Sequence, residues 1–539
     1  MGALAWLLVA VPLGTGAVLA CTGRRGDRVA PATGIVAAAV TLVLAIFAAG
    51  LRPAATAPLL AGIDASVAVD GLSAILVVTV AAVTLAVLLF AAGEPGLGSR
   101  FAGLMLLFAG AMLVTVIATG LVLLLMGWEV MGATSWALIG FWWREPRRVR
   151  AANVAFLTTR GADLGLYLTA GAALAGGAGS LELAELPAAA PPWLALLTAG
   201  IVLAAVGKSA QLPFSFMVLA AGAGGVAGGT MQLVAHAATK SALFLAAGAW
   251  LTALGTKALP ALRGAARRHP LVGITFTVAA ASLAGLPPLS LWVAKDEVLA
   301  AALERSPALY AAGLAAAVIS GVYSVKAVWF VWQPEPAGAQ AGWDVEQPGT
   351  REVAAPARPA LVALAAAAAL LGLLGLPPLV EAIKELVGAT GEASPAAWEL
   401  VASAVLALAA ASAAWWWGGR PVPVPAPVRR ALGEWLRLER AADLLAVRPT
   451  MALARVLAAF DDRALHRTVL AVPAAGLWLA RLSERRAELS MDNAVGAIVR
   501  TVRRLAALAR RPQTGQLHQY YAQAAVALVV LALLVVFVR

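Results

Sequence analysis

The sequence predicts an all-α, polytopic transmembrane bundle of about fourteen spans, some of them broken, with an amphipathic lateral helix towards the C-terminus. Three observations carry that reading. The 539 residues are 61% hydrophobic with a mean hydropathy of +0.86. Apolar runs of about 20 residues, the length that crosses a bilayer, recur from end to end. Several of those runs hold ionisable residues, and two are interrupted by proline beside them.

The runs fall at 3–20, 31–51, 71–92, 101–118, 120–142, 151–176, 192–213, 229–252, 270–289, 307–332, 358–380, 397–416 and 519–538. Runs this long satisfy their own backbone polar groups only as helices. Basic loops face the cytoplasm. Arg24, Arg25 and Arg28 after the first run therefore place the N-terminus outside, and 144–150 (REPRRVR) lies inside. Loop 177–191 carries Glu182 and Glu185 and no base, so it lies outside. The basic loop 257–268 returns to the inside only if Phe214–Gly228 makes a further short crossing, which favours fourteen spans over thirteen.

The N-terminal run ends Val-Leu-Ala before Cys21, but basic residues follow it rather than precede it, so it reads as a first span and not a signal sequence. One cysteine permits neither an internal disulfide nor a cysteine-held iron–sulfur cluster.

Only six of the 40 basic residues are lysine: Lys208, Lys240, Lys257, Lys295, Lys326 and Lys384. Lys208, Lys240, Lys295 and Lys326 lie in or at the edge of apolar runs. A charged group at membrane depth costs ~3 kcal/mol or more unless it is paired, neutral or wetted. Arginine keeps its proton in proteins, whereas a buried lysine can lose one. Snorkelling to the interface is the alternative, most applicable to Lys326.

In chain order, Glu129 is buried in the fifth run, where a lysine partner would let both groups be charged or both neutral. Arg160 and Asp163, three apart on one helical face, read as a fixed structural pair. Lys208 opens GKSAQLP, where Pro213 breaks the helix at membrane depth. Gly207-Lys208-Ser209 imitates the end of a phosphate-binding loop, but Val202 stands where that loop needs glycine. His236 and Lys240, four apart, could pass a proton along a helix, the alternative being a structural histidine. LAGLPPLSLWVAKDEVL (283–299) breaks a second helix at Pro287-Pro288 and places Lys295, Asp296 and Glu297 just beyond. Interrupted spans with ionisable groups point to an ion path.

DGLSA (70–74), GWEVMGATSWALIGFWWREP (127–146), TRGAD (159–163), GKSAQLPF (207–214), HAATK (236–240) and LAGLPPLSLWVAKDEVL (283–299) together resemble the antiporter-like subunits of respiratory complex I, in particular their subunit L branch. That resemblance, over most of 70–332, implies a proton channel with no redox centre. It makes Glu129 and Lys208 the input pair, His236 and Lys240 the central relay, and Lys295 the output lysine. The chain departs from the pattern in its centre. Lys208 and Lys240 stand 32 positions apart, roughly three spans fewer than in the family, and Gln232 occupies a position usually held by histidine. A relay completed by a neighbouring subunit and a closed channel are the two alternatives this leaves.

The C-terminal third extends the resemblance. After Trp415–Trp417 and the linker PVPVPAPV, residues 429–511 alternate arginines with apolar residues at helical spacing: Val499, Val502, Leu505 and Leu508 against Arg500, Arg503, Arg504 and Arg510. Residues 450–511 as one helix would reach ~90 Å, with Pro473 expected to kink or break it. A helix held at the membrane surface by anionic lipid is the alternative to one that clamps neighbouring subunits.

The domain organisation expected is N-terminal spans at 1–100, an antiporter-like channel core at 101–335 shortened between 214 and 230, further spans at 336–418, the lateral helix region at 419–518 and an anchoring span at 519–539. The expected function is proton translocation in a complex I-like NADH-quinone oxidoreductase of a bacterial inner membrane. Its partners would be the other membrane subunits and the lipid bilayer. An Mrp-type cation/proton antiporter subunit and a non-pumping structural clamp are the alternatives. No cofactor or metal site is expected. The net charge of +12 suits basic cytoplasmic loops and anionic lipid, and no stacking aromatics in a basic groove point to nucleic acid.

Overall fold

The computed structural model describes residues 2–60, 62–208, 220, 222–334, 348–420, 424–486, 492–511 and 515–537. The chain divides into two units, Met1–Arg448 and Pro449–Arg539.

In the first unit, α1 (Gly2–Thr22), α2 (Ala30–Leu51), α3 (Gly71–Ala91), α4 (Ser99–Ile117) and α5 (Leu121–Ile139) follow the first five apolar runs. α6 (Pro146–Ala175), α7 (Trp193–Lys208), α8 (Val226–Leu254), α9 (Pro270–Leu283), α10 (Ser290–Arg305) and α11 (Pro307–Trp332) form the centre. α12 (Ala357–Leu370), the short α13 (Pro377–Leu386) and α14 (Ala397–Trp417) complete the membrane part of this unit. Among the described residues of the whole chain, ten helices are long and apolar enough to cross a membrane. α7 and α9 are shorter, and α6 carries Arg160 and Asp163.

Local chemistry sets several of these boundaries. α3 begins in a capping box: the Asp70 carboxylate accepts from the Ser73 backbone N–H at 2.7 Å, and Ser73 Oγ accepts from the Asp70 N–H at 2.7 Å. α11 starts with Ser306 as cap and Pro307 in its first turn. α8 is capped from a distance, because the Glu392 carboxylate accepts from the N–H groups of Val226 (2.6 Å) and Ala227 (3.0 Å).

Small residues let these helices approach closely, as membrane packing requires. A Cβ added at Gly165 of α6 would run into the Gly200 carbonyl of α7, and one at Gly200 would meet the Gly165 carbonyl. Gly16 of α1 and Gly103 of α4 make a second such contact. The largest apolar core is built on α3, α8, α9, α11 and α12, with Trp250 fully buried against Phe276 at 5.0 Å between ring centroids.

The first unit also contains a β-hairpin absent from the helical expectation. β1 (Ala54–Leu60) pairs antiparallel with β2 (Ile63–Ala68), and Ala65, Val67 and Val69 point inward in alternation. Thr119 N–H donates to Ser66 O at 3.0 Å and Leu121 N–H to Leu181 O at 2.8 Å, so the hairpin, the α4–α5 turn and loop 177–191 share one face of the membrane part.

The opposite face collects the basic loops. Asp27 accepts from Ser99 N–H at 2.9 Å, Arg100 donates to Phe141 O, and Glu94 accepts from Thr252. Arg267 donates to Trp332 O at 2.8 Å, and Lys326 to Arg420 O at 2.9 Å, as expected of a lysine reaching the interface. Loops 144–150 and 257–268 therefore lie on the same side, as the charge rule required. α7 and α8 both begin on the hairpin face, and the expected crossing over Phe214–Gly228, with Pro213, falls largely outside the described residues.

The second unit is helical: Arg448–Phe460 leads into it, followed by a π-helical turn at Asp461–Leu465, then His466–Arg486, Asp492–Arg510 and the apolar Leu517–Phe537. The run is not interrupted at Pro473, which lies inside a helix; the wider turn comes earlier, at 461–465. A proline removes one N–H donor and one helical rung, and the rungs on either side carry the helix through it.

Replacing Gly165 by valine should force α6 and α7 apart. We expect a loss of about 1–3 kcal/mol from overpacking, read as a lower midpoint of thermal unfolding in detergent, with Gly171→Val, where nothing stands within 4 Å of the added Cβ, as the control.

Candidate ion-translocation site

Three groups of ionisable side chains lie within the helices of the first unit. The first joins α5, α6 and α7. Arg160 pairs with the Glu129 carboxylate, which also accepts from Tyr167 Oη at 3.0 Å. Asp163, 2% exposed, accepts from Trp128 Nε1–H at 2.6 Å. Lys208 Nζ stands 3.9 Å from Asp163 Oδ2, donates to Trp128 O at 3.3 Å and lies 5.0 Å from the Trp128 ring centroid.

This differs from the expected pairing. Among the described residues no ion pair joins Glu129 to Lys208, or Arg160 to Asp163; the partners are exchanged across helices. Arg160 and Asp163 lie on one face of α6, close enough to pair, but Arg160 meets Glu129 of α5 while Asp163 meets Trp128 of α5 and Lys208 of α7. Gly132 makes room for both cations: a Cβ there would sit 3.2 Å from Lys208 Nζ and 3.6 Å from Arg160 Nη2. The result is two cations and two anions in one partly enclosed cluster, where moving one proton changes the field on all the others.

The second group is on α8, where His236 and Lys240 stand one turn apart and half-buried. Lys240 Nζ lies 5.9 Å from the Phe244 ring centroid. Gln232, one turn before His236, is buried with its Oε1 unpartnered among the described residues. A chain of hydroxyls leaves the same helix: Thr239 Oγ1 lies 3.3 Å from Ser282 Oγ, and Ser282 Oγ lies 3.0 Å from Ser290 Oγ. Ser290 donates to Ala368 O at 2.6 Å, and Ser282 Oγ accepts from Leu291 N–H at 3.4 Å. These hydroxyls bridge the gap between α9 and α10, where Gly285 adopts φ 70° and the helix is broken as Pro287-Pro288 implied. Ser282 thereby partners the Leu291 N–H at the start of α10, and Ser290 the Ala368 carbonyl near the end of α12.

The third group follows that break. Lys295 (3% exposed) and Asp296 (2%) are buried. Lys295 Nζ donates to Asp296 Oδ1 at 2.6 Å and to Ser403 Oγ of α14, and Ser403 donates to Asp296 Oδ1 at 2.7 Å. A triangle of this kind keeps a charged pair tolerable in an apolar bundle and leaves it one proton from neutrality.

Sequence reasoning missed Ser403 and the hydroxyl chain, because single serines in apolar helices carry no pattern. It also passed over Lys384, which is 2% exposed and among the most completely enclosed side chains of the described protein. Its signal was present: a lysine in an arginine-rich chain, three positions after Glu381 on a short helix.

Removing Arg160 should leave Glu129 without its cation. Arg160→Gln is expected to destabilise more than the double variant Glu129→Gln/Arg160→Gln, by about 1–3 kcal/mol, in detergent unfolding of the purified protein. Equal losses would mean that the pair contributes nothing.

Comparison with known proteins now adds to this geometry. The profile of the NADH:quinone oxidoreductase/Mrp antiporter transmembrane family matches residues 118–224 and 215–320, which include every side chain of the three groups except Ser403. NADH-quinone oxidoreductase subunit L of Mycobacterium tuberculosis (strain CDC 1551 / Oshkosh) is 27% identical over 433 residues, covering 60% of this chain and 68% of the relative. Among solved structures, a chain of the Mrp complex from Dietzia sp. DQ12-45-1b superposes with a TM-score of 0.67 at 22% identity, covering 92% of this chain and 66% of that one. A chain of respiratory complex I from Thermus thermophilus with bound NADH gives 0.56 at 22% identity, covering 71% of this chain and all of that one. At those identities the structural likeness speaks for the fold. Broken helices bearing buried lysines, the family profile across them and the subunit L relatives converge: the chain is a multi-pass helical membrane protein similar to the antiporter-like subunits of NADH:quinone oxidoreductase and Mrp complexes, subunit L among them.

Proposed function

We propose that this chain is a proton-translocating membrane subunit of a complex I-like NADH-quinone oxidoreductase in a bacterial inner membrane. The observation that carries the reading is the Lys295–Asp296–Ser403 triangle, a fully buried lysine–carboxylate pair at a broken helix. In a bundle without such a task, an apolar residue of similar volume would be as stable or more so.

In this reading quinone reduction occurs elsewhere in the assembly, and the chain contributes no redox centre of its own. A proton enters at the cluster of Glu129, Arg160, Asp163 and Lys208. Arg160 is the counter-charge of Glu129 and Asp163 that of Lys208, and a shift of either anion relative to its cation changes the field in which Lys208 exchanges its proton. His236 and Lys240 then relay it along α8, with the Thr239–Ser282–Ser290 hydroxyls reaching towards the third group. Lys295 releases it with Asp296 as counter-charge. The basic helices of the second unit contact neighbouring membrane subunits and anionic lipid, Val499, Val502, Leu505 and Leu508 forming the apolar face of Asp492–Arg510.

The family profile, which spans NADH:quinone oxidoreductase and Mrp antiporter chains alike, supports a second reading, cation/proton antiport. The two are separated in inverted membrane vesicles by following redox-driven acidification, electron transfer and sodium flux together. We expect Lys208→Met and Lys295→Met each to lower protons moved per electron well below the native ratio in an assembled complex, with no sodium flux. Sodium movement abolished by Lys208→Met would support antiport. An unchanged proton ratio in both variants would leave the chain as a structural clamp.

A further inference from the structure

Beyond the Lys295–Asp296 pair, α10 carries Glu297, which is 6% exposed, and the carboxylate makes no hydrogen bond or ion pair among the described residues. A buried carboxylate without a partner is costly to keep for structure alone. Its surroundings continue towards the hairpin face. Glu297 packs against the first turn of α8, where a Cβ on Gly228 would stand 3.1 Å from Glu297 Cβ. That same turn is capped by Glu392. The charges of Lys384, Glu381, Glu392 and Asp296 all act on Glu297.

Lys384 is held rigidly. It donates to Glu392 O at 2.8 Å and to Ser394 Oγ at 2.6 Å, and lies 3.6 Å from Glu381 Oε1. Glu381 is the least enclosed of these groups, its side chain being 64% exposed against 2% for Lys384. α13 belongs to the hairpin face, since a Cβ on Gly71, at the start of α3, would collide with the Leu386 carbonyl. The order Lys295, Asp296, Glu297, Lys384, Glu381 therefore runs from a fully enclosed pair to the surface opposite the basic loops.

We infer that Glu297 and Glu381 form the outlet of the proton path, with Lys384 as the positioning cation between them. This inference rests on the proton-translocating reading above. The Glu297 carboxylate accepts the proton that leaves the Lys295 ammonium, giving a carboxylic acid and a neutral amine. The acid passes the proton on to the Glu381 carboxylate, which releases it to water, and Lys295 is reprotonated from the inner side. Nothing is oxidised or reduced in these steps. Lys384 serves as the counter-charge for whichever of the two carboxylates is ionised.

The test uses the assembled complex in inverted membrane vesicles, with protons per electron measured for Glu297→Gln, Glu297→Asp, Lys384→Met, Lys384→Arg and Lys295→Met. Glu297→Gln is expected to fall to the level of Lys295→Met while subunit content stays native, and Glu297→Asp, which restores a titratable acid, to recover part of the ratio. Lys384→Met should lower the ratio and Lys384→Arg restore it. A native ratio for Glu297→Gln alongside a lowered one for Lys295→Met overturns the outlet and leaves translocation standing. Native ratios for both overturn translocation and the outlet with it. Should Glu297→Gln fail to assemble, the Glu381→Gln variant, altered only at an exposed side chain, decides: a native ratio there removes the surface terminus of the path.

Discussion

A lysine ammonium inside an apolar helix bundle must be given a counter-charge, and the arrangement of this protein's centre follows from that requirement. Lys295 and Asp296 are adjacent in sequence yet meet only because the side chain of Lys295 turns back over the helix break, beside Gly285. Ser403 closes the triangle from another helix. The pair is favourable only while all three groups are in place, because desolvating two ions costs several kcal/mol each before their attraction is counted. That balance keeps the cluster close to a change of charge state, which a proton carrier needs and a scaffold does not.

The same constraint explains why the cluster of Glu129, Arg160, Asp163 and Lys208 is spread over three helices. Two cations and two anions on α5, α6 and α7 hold one another in place, so the charge of Lys208 depends on three other side chains and on the packing of α6 against α7. That packing in turn rests on Gly165 and Gly200. A displacement of one helix by a fraction of an ångström would alter ion-pair geometry more than it would alter dispersion contacts, since the pairs are few and directional. Mechanical and electrostatic change are thereby coupled through the same residues.

The helix break between α9 and α10 has two roles. It brings the Lys295 triangle to membrane depth, and it creates backbone groups that need partners away from water. Ser282 partners one of them, the Leu291 N–H, while Thr239, Ser282 and Ser290 form a line of hydroxyls from α8. Structure and the proposed path draw on the same atoms. The Glu297–Lys384–Glu381 sequence on the far side shows the same economy, because Glu392 both caps α8 and, through its carbonyl, holds Lys384.

The sequence by itself determined the helical class, the runs that become helices, the interruption at Pro287-Pro288 and the identity of Lys208, His236, Lys240 and Lys295 as the residues that set this chain apart. Hydropathy and the rarity of lysine are properties of a linear chain and survive without coordinates. The capping box at Asp70–Ser73 was equally local. Tertiary structure alone decided which ions meet: Glu129 with Arg160 and Asp163 with Lys208, contacts between successive helices, where pairing depends on which way each helix face turns. It also revealed Ser403, a residue with no periodic signal, the enclosure of Lys384, and the hairpin at 54–68, whose alternation is masked by apolar neighbours. Burial and partnership are relations between segments, and in a chain apolar almost everywhere composition cannot distinguish a lipid-facing position from one that faces a charge.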